Sequence, residues 1–277
     1  MRRRAMAAII KKDIRAVSDN VQIWLPIIIV PLVFTVVLPI VIILLTKYQS
    51  PAGSSAWELP MKLLDKMPMG SMQDEINSFP TLQQKVIFIG LNYIFLPLFL
   101  LIPAMVSSTV AANSFVGEKE RKTMETLLYS PISEVDLFIS KVLAPFITSM
   151  AVTVVCFIIY GIVVNLFTYD IFQGVIFPRP NWYLTAFLLS PAVSVLSIFF
   201  NVYISARVKG FQEAYQLGAM VVLPILAIFY SQLMGVFFLS NVMIVLISLI
   251  FFAASALLIL STGKSFNRNK LFESQIK

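Results

Sequence analysis

An all-α polytopic membrane bundle is the fold class this sequence predicts, and three observations predict it. Hydrophobic residues make up 58% of the 277 and charged residues 13%, with a mean hydropathy of +0.87, outside the range of water-solvated domains. The length is taken up by apolar runs of about 20 or more residues, each long enough to cross a hydrocarbon core of about 30 Å as a helix. Six such runs are present, over residues 23–46, 86–112, 142–166, 182–206, 214–239 and 241–262. No separate soluble domain fits, so residues 1–277 read as a single transmembrane domain.

Residues 1–22 come first. Met6, Ile10, Ile14, Val17, Val21 and Trp24 recur at helical spacing while Lys11, Lys12 and Arg15 fall on the other side, which predicts an amphipathic helix lying in the membrane interface. Asp13 is the one residue on the wrong face. A simple surface anchor and an added contact with a cytoplasmic partner both suit this segment. The apolar run after it is roughly twice the length of a signal-peptide core, so it reads as an anchor.

Pro26, Pro31, Pro39, Pro97, Pro103, Pro145, Pro191 and Pro224 fall inside spans and predict kinked helices. The loop over residues 47–85 carries Trp57, Leu63, Leu64, Met67, Met69, Met72 and Phe79, which an amphipathic lid would bury while leaving Glu58, Asp65 and Asp74 wet. Three methionines without histidine or cysteine support make a poor Cu(I) site, and adaptable apolar packing is the better reading. Ser231 and Gln232 read as a broken or re-entrant tip at the end of the fifth span.

Orientation follows from the basic residues. With both termini cytoplasmic, the outer segments hold only Lys47, Lys62, Lys66, Lys85 and Arg179 of the 21 lysines and arginines. This bias predicts a multi-pass protein of a bacterial cytoplasmic membrane, ending in a basic cytoplasmic tail over residues 263–277. The net charge of +7 is then accounted for by topology and by anionic lipid, without nucleic acid as a partner.

The composition excludes several chemistries. There is no histidine, so no Ser-His-Asp triad forms, and no catalytic or metal-ligating residues are assigned. Gly263-Lys264-Ser265 looks like the end of a phosphate-binding loop, but Leu258 stands where its first glycine is required. The predicted spans hold no Asp, Glu, Lys or Arg, which argues against a proton-coupled carrier. Their polar residues, among them Asn92, Ser107, Ser108, Thr109, Thr148, Ser149, Thr153, Ser194, Ser197, Asn201, Ser231 and Gln232, are expected to join helices, and none is nominated as a substrate ligand. Cys156, the single cysteine, lies in an apolar run and forms no intrachain disulfide.

The loop over residues 113–141 is different in kind. Gly117 to Ser133 reads GEKERKTMETLLYSPIS, a charged helix former between two apolar runs. Glu118 with Lys122 and Arg121 with Glu125 are i,i+4 pairs in the favourable order, each worth about 0.2–0.5 kcal/mol. Met124, Leu127 and Leu128 make a separate apolar strip, and Pro131 stops the helix. A solvated turn is the plain reading, and a surface gripped by a partner is the sharper one.

This stretch, Gly117 to Leu128 followed by Ser130-Pro131-Ile132-Ser133, resembles the first cytoplasmic loop of type-2 ATP-binding-cassette (ABC) permeases. It departs from that pattern at Lys122, where glycine is frequent, and at Met124, where leucine is. Ser205-Ala206-Arg207, then Glu213-Ala214-Tyr215-Gln216-Leu217 and Pro224, is similar to the family's second cytoplasmic loop, with Tyr215 in place of a common glutamine. With Lys11-Lys12-Asp13-Ile14-Arg15 before the first span, the resemblance covers nearly the whole chain.

The resemblance implies a permease subunit of an ABC exporter, free of ATPase chemistry, that forms the translocation pathway with a second permease as homodimer or heterodimer. Separate ATPase subunits, holding ATP and Mg, would dock on a coupling helix comprising Glu118, Glu120, Arg121, Lys122, Thr123, Met124, Glu125, Leu127, Leu128 and Pro131. Arg207 and Glu213 of the second loop would lie beside it. No cofactor is expected on this chain, and its other partners are membrane lipids. The competing expectation is a membrane scaffold or sensor whose loop binds a partner without transport.

Overall fold

The computed structural model describes residues 2–48, 62, 71–120, 133–205, 207–208 and 210–263. Among them there is no strand, and six helices are long and apolar enough to span a membrane. In chain order the helices are α1 (Arg2–Ser18), α2 (residues 21–48), α3 (Ser71–Asn77), α4 (Leu82–Gly117), α5 (Glu134–Phe172), α6 (Pro180–Ser205), α7 (Phe211–Leu233) and α8 (Asn241–Gly263), the six spans lying in all but α1 and α3.

Prolines set the irregularities of the spans. Proline lacks an N–H and its ring clashes with the carbonyl four residues earlier, which widens or tightens the helix before Pro39, Pro97, Pro191 and Pro224, whereas Pro26, Pro31 and Pro145, expected to mark irregularities too, sit within regular α-helix. Three π turns, Val33–Val37, Gly90–Ile94 and Thr185–Leu189, each contain the residue four before a proline: Thr35 before Pro39, Tyr93 before Pro97, Phe187 before Pro191. A 3-10 turn at Ala219–Val221 places Met220 four before Pro224. A fourth π turn, Asn113–Gly117, has no such proline and ends α4.

Two spans differ from expectation. The helix of α5 begins at Glu134, where the Ser133 hydroxyl accepts the Asp136 N–H, and runs to Phe172 before Gln173 turns left-handed at φ 49°. Its 39 residues rise about 58 Å, well beyond the expected 142–166, because the buried Lys141 continues the helix where charge implied an end. α7 stops at Leu233, short of the expected residue 239. Gly235 takes φ 66° and the Val236 N–H returns to the Ser231 carbonyl, so Ser231 and Gln232 belong to a closing helix end.

α4 is the central helix, packed by α2, α5, α6 and α7, while α8 lies against α6 and α1 against α5. Within the bundle, cross-helix hydrogen bonds include Asn201 donating to Ser108 Oγ at 2.8 Å, Ser149 to Ser194 at 3.1 Å, and Tyr160 to the Leu91 carbonyl and Asn181 to the Asn92 carbonyl, both at 2.7 Å, with Gln83 and Gln84 of α4 donating to the Thr46 and Ile171 carbonyls at one end. Ser107, Thr109, Thr148, Thr153 and Ser197 instead bond carbonyls of their own helices.

The end away from α1 is closed by rings. Tyr160, Phe177, Trp182 and Phe99 stack around Gly161, where a Cβ would lie 2.8 Å from the Phe177 ring. Arg179 pairs with Glu75 at 2.8 Å and covers Phe88, against which Phe79 also packs. Asp74 is exposed as expected for the lid, whereas Glu58 and Asp65, and the side chains of Trp57, Leu63, Leu64, Met67, Met69 and Met72, lie outside the described residues.

Candidate functional site

Three elements meet at the base of the first loop. α1 buries Ile9, Asp13 and Val17, one face at i, i+4 and i+8, against α5 and α2. Asp13 thus faces the protein interior at 3% exposure, and Ser114 Oγ of α4 donates to its carboxylate at 2.5 Å. The Ser114 carbonyl in turn accepts Lys141 Nζ of α5, also at 2.5 Å.

Glu118 is the hub of this cluster. Its Oε1 pairs with Lys12 of α1 and its Oε2 with Lys141, which also lies 5.6 Å from the Phe115 ring centre. Lys12 Nζ stands 3.7 Å from Asp13 Oδ1, so two ammonium groups face two carboxylates. A buried charge is tolerated only when paired and hydrogen-bonded, and here each carboxylate has its cation and each lysine its acceptor. The π turn Asn113–Gly117 adds a residue to the last turn of α4 and so rotates Glu118 by about 100° from its α-helical phase. Burial pushes the Asp13 carboxyl above its ordinary range, with Glu118 adding to the rise; Lys141, the Ser114 hydrogen bond and Lys12 oppose it.

A second contact joins the two loops. Glu120 Oε2 accepts the Phe211 N–H at 2.8 Å, supplying the first turn of α7 with the acceptor that Gly210, with no side chain, lacks. Beside it Ala112 and Val116 of α4 pack with Ile204, Val208 and Ala214. Glu213 is exposed in the first turn of α7; Arg207 is exposed and stacks on Tyr203, its guanidinium 3.7 Å from the ring centre.

Of the residues expected to form a coupling helix, Glu118 and Glu120 lie just beyond the π turn of α4, held by the contacts above. Arg121, Lys122, Thr123, Met124, Glu125, Leu127, Leu128 and Pro131 lie outside the described residues. The sequence reading missed Asp13, Ser114 and Lys141 as a set. Its one signal was Asp13, a carboxylate among apolar positions, whose hydrogen-bond donor Ser114 stands 101 residues away and leaves no local trace.

A family model described as ABC-2 family transporter protein matches residues 7–244, from within α1 through α7 and into α8. The chain belongs to that family. No curated protein and no solved structure matches it. This ABC-2 permease is therefore a multi-pass membrane protein, the transmembrane component of an ABC transporter. The charge cluster and the contact between the two loops both lie inside the matched region.

Proposed function

We propose that this ABC-2 permease is one half of an exporter, pairing with a second copy or a related permease around the translocation pathway. Separate ATPase subunits, which hold ATP and Mg, dock on Glu118 to Leu128 and on the second loop with Arg207 and Glu213. Both termini face the cytoplasm of a bacterial cell. The observation that carries this reading is the fixing of the loop root: Glu118 is tied to α1 and α5, and Glu120 to α7. A push on residues 118–128 is thereby delivered to four helices at once instead of being lost in a loose turn.

The test is co-expression of the tagged permease with an ABC ATPase, sought first in the neighbouring reading frames. Copurification and substrate-stimulated ATP hydrolysis are expected, with Leu127→Asp and Leu128→Asp losing the ATPase while remaining inserted. ATP turnover by the permease alone would exclude the reading. So would full retention of the partner and of transport by both variants; a partner bound by the loop with no transport at all would favour the scaffold expectation.

A further inference from the structure

The π turn Asn113–Gly117 differs from the other three π turns among the described residues, because no proline stands four residues beyond any of its members. Contacts from two other helices occupy its second residue instead. The Ser114 hydroxyl donates to Asp13 of α1 at 2.5 Å, and the Ser114 carbonyl accepts Lys141 Nζ of α5, also at 2.5 Å. Ser107 and Thr109, earlier in the same helix, spend their hydroxyls on carbonyls four residues back, at 2.6 Å and 2.7 Å, as regular helix allows. Ser114 is drawn off that local bond by a carboxylate 101 residues away, so tertiary contacts, and not the local sequence, hold this turn wide.

A π turn carries one residue more than the α-helical turn it replaces, and the two forms differ in what faces α1 and α5. In the α form every residue beyond the turn stands about 100° further round the axis. Gly117 then takes the place that Glu118 now holds between Lys12 and Lys141, and Glu120 leaves the Phe211 N–H. These are two discrete arrangements of one element, which a torque on Glu118 and the residues after it can exchange. On the reading that an ATPase docks on Glu118 to Leu128, we propose that the turn Asn113–Gly117 is the moving part of coupling. Asp13 and Lys141 are positioning residues that hold it wide, and the docked ATPase draws it into the α form by meeting the turned Glu118 with a basic group of its own. A partner shifts such an equilibrium only by preferring one form, and that basic group supplies the preference.

The experiment puts a trifluoromethyl-phenylalanine at Phe115 of the full-length chain and reads fluorine NMR from the permease alone and from its complex with the ABC ATPase and a non-hydrolysable ATP analogue. Phe115 lies inside the turn, its ring against Lys141 and Phe138, and the label removes no charge. The permease alone should give one resonance, and the complex a second in its place. Ser114→Ala, which deletes the hydroxyl that Asp13 holds, should show the second resonance without any ATPase. An unshifted single resonance in the complex, or in Ser114→Ala, overturns the proposal.

Deleting Asn113 removes the extra residue, so an unbroken α-helix keeps Glu118 between its lysines and leaves no second form to reach. This variant should bind the ATPase like wild type, stay on the first resonance with the analogue present, and lose about tenfold of the substrate-stimulated ATP hydrolysis. If the deletion misfolds, the spectra of wild type and Ser114→Ala decide alone. Wild-type stimulation in the deletion variant, or a second resonance from it, overturns the moving turn and leaves docking intact. Absence of copurification overturns the docking reading and the moving turn with it.

Discussion

Glu120 and Phe211 stand 91 residues apart, yet the carboxylate of one accepts the backbone N–H of the other at 2.8 Å. A carboxylate of the first loop thereby caps the helix that follows the second. An acidic group at an exposed helix start contributes about 0.3–1 kcal/mol, too little to hold the fold but enough to fix the angle between two loops. Glu120→Ala should therefore keep expression and thermal stability within about 1 kcal/mol of wild type while lowering substrate-stimulated ATP hydrolysis of the assembled transporter. Unchanged stimulation would show that the two loops act independently.

The pairing of Glu118 with Lys12 and Lys141 leads to a different signature. Removing one partner of a buried ion pair leaves the other charge stranded and costs about 3–5 kcal/mol, whereas an apolar pair of similar volume is often neutral. Lys141→Met takes from Glu118 its buried cation, leaves it the half-exposed Lys12 and should thus lower the apparent Tm, and Glu118→Leu in the same chain should recover part of the loss. Thermal aggregation followed by size-exclusion chromatography measures this. Strictly additive losses would mean that the two groups do not interact.

Asp13 supplies the pH dependence. Its carboxyl is held above the ordinary value of about 3.9, so the folded chain keeps this proton to higher pH than the unfolded chain does. The contribution to stability is full below the ordinary value and is lost as pH rises through the folded one. Asp13→Asn, which can still accept from Ser114, should flatten the fall in apparent Tm between acidic and neutral pH and leave the neutral-pH value at or above that of wild type. A variant with the wild-type slope would remove Asp13 as its source.

Gly218 permits α7 to approach the polar contact between α4 and α6. A Cβ there would lie 2.5 Å from Asn201 Oδ1 and 2.6 Å from Ser108 Oγ, the oxygen that already accepts from Asn201 Nδ2. Gly218→Ala should break or displace that bond and cost about 1–3 kcal/mol, with Gly218→Val worse. Placing alanine at Asn201 as well should relieve part of the clash. If Gly218→Ala melts like wild type, the close approach is not required.

Topology is checked by chemical labelling. In a chain whose Cys156 has been replaced by serine, a cysteine at Ser54 should react with an impermeant thiol reagent from outside intact cells and one at Ser133 should not. The reverse pattern would invert both termini.

Six spans, their order and the place of the loops follow from the sequence alone, because the hydrocarbon core is a one-dimensional constraint: a run of about 20 apolar residues satisfies it wherever it lies in the chain. The prolines were legible in part, since a missing N–H acts on the carbonyl four residues back: Pro39, Pro97 and Pro191 each sit one turn beyond a residue of a π turn, while Pro26, Pro31 and Pro145 are carried within regular α-helix. The loop motif gave the family, and the family match covers residues 7–244. What tertiary structure decided is where charge is buried. The sequence offers Lys122 as the helical neighbour of Glu118, while the folded chain brings it Lys12 and Lys141 from two other helices, and Asp13 becomes an interior residue because Ser114 comes to meet it. Helical periodicity reports only neighbours three and four residues away; an ion pair spanning 106 residues exists only once the helices have packed.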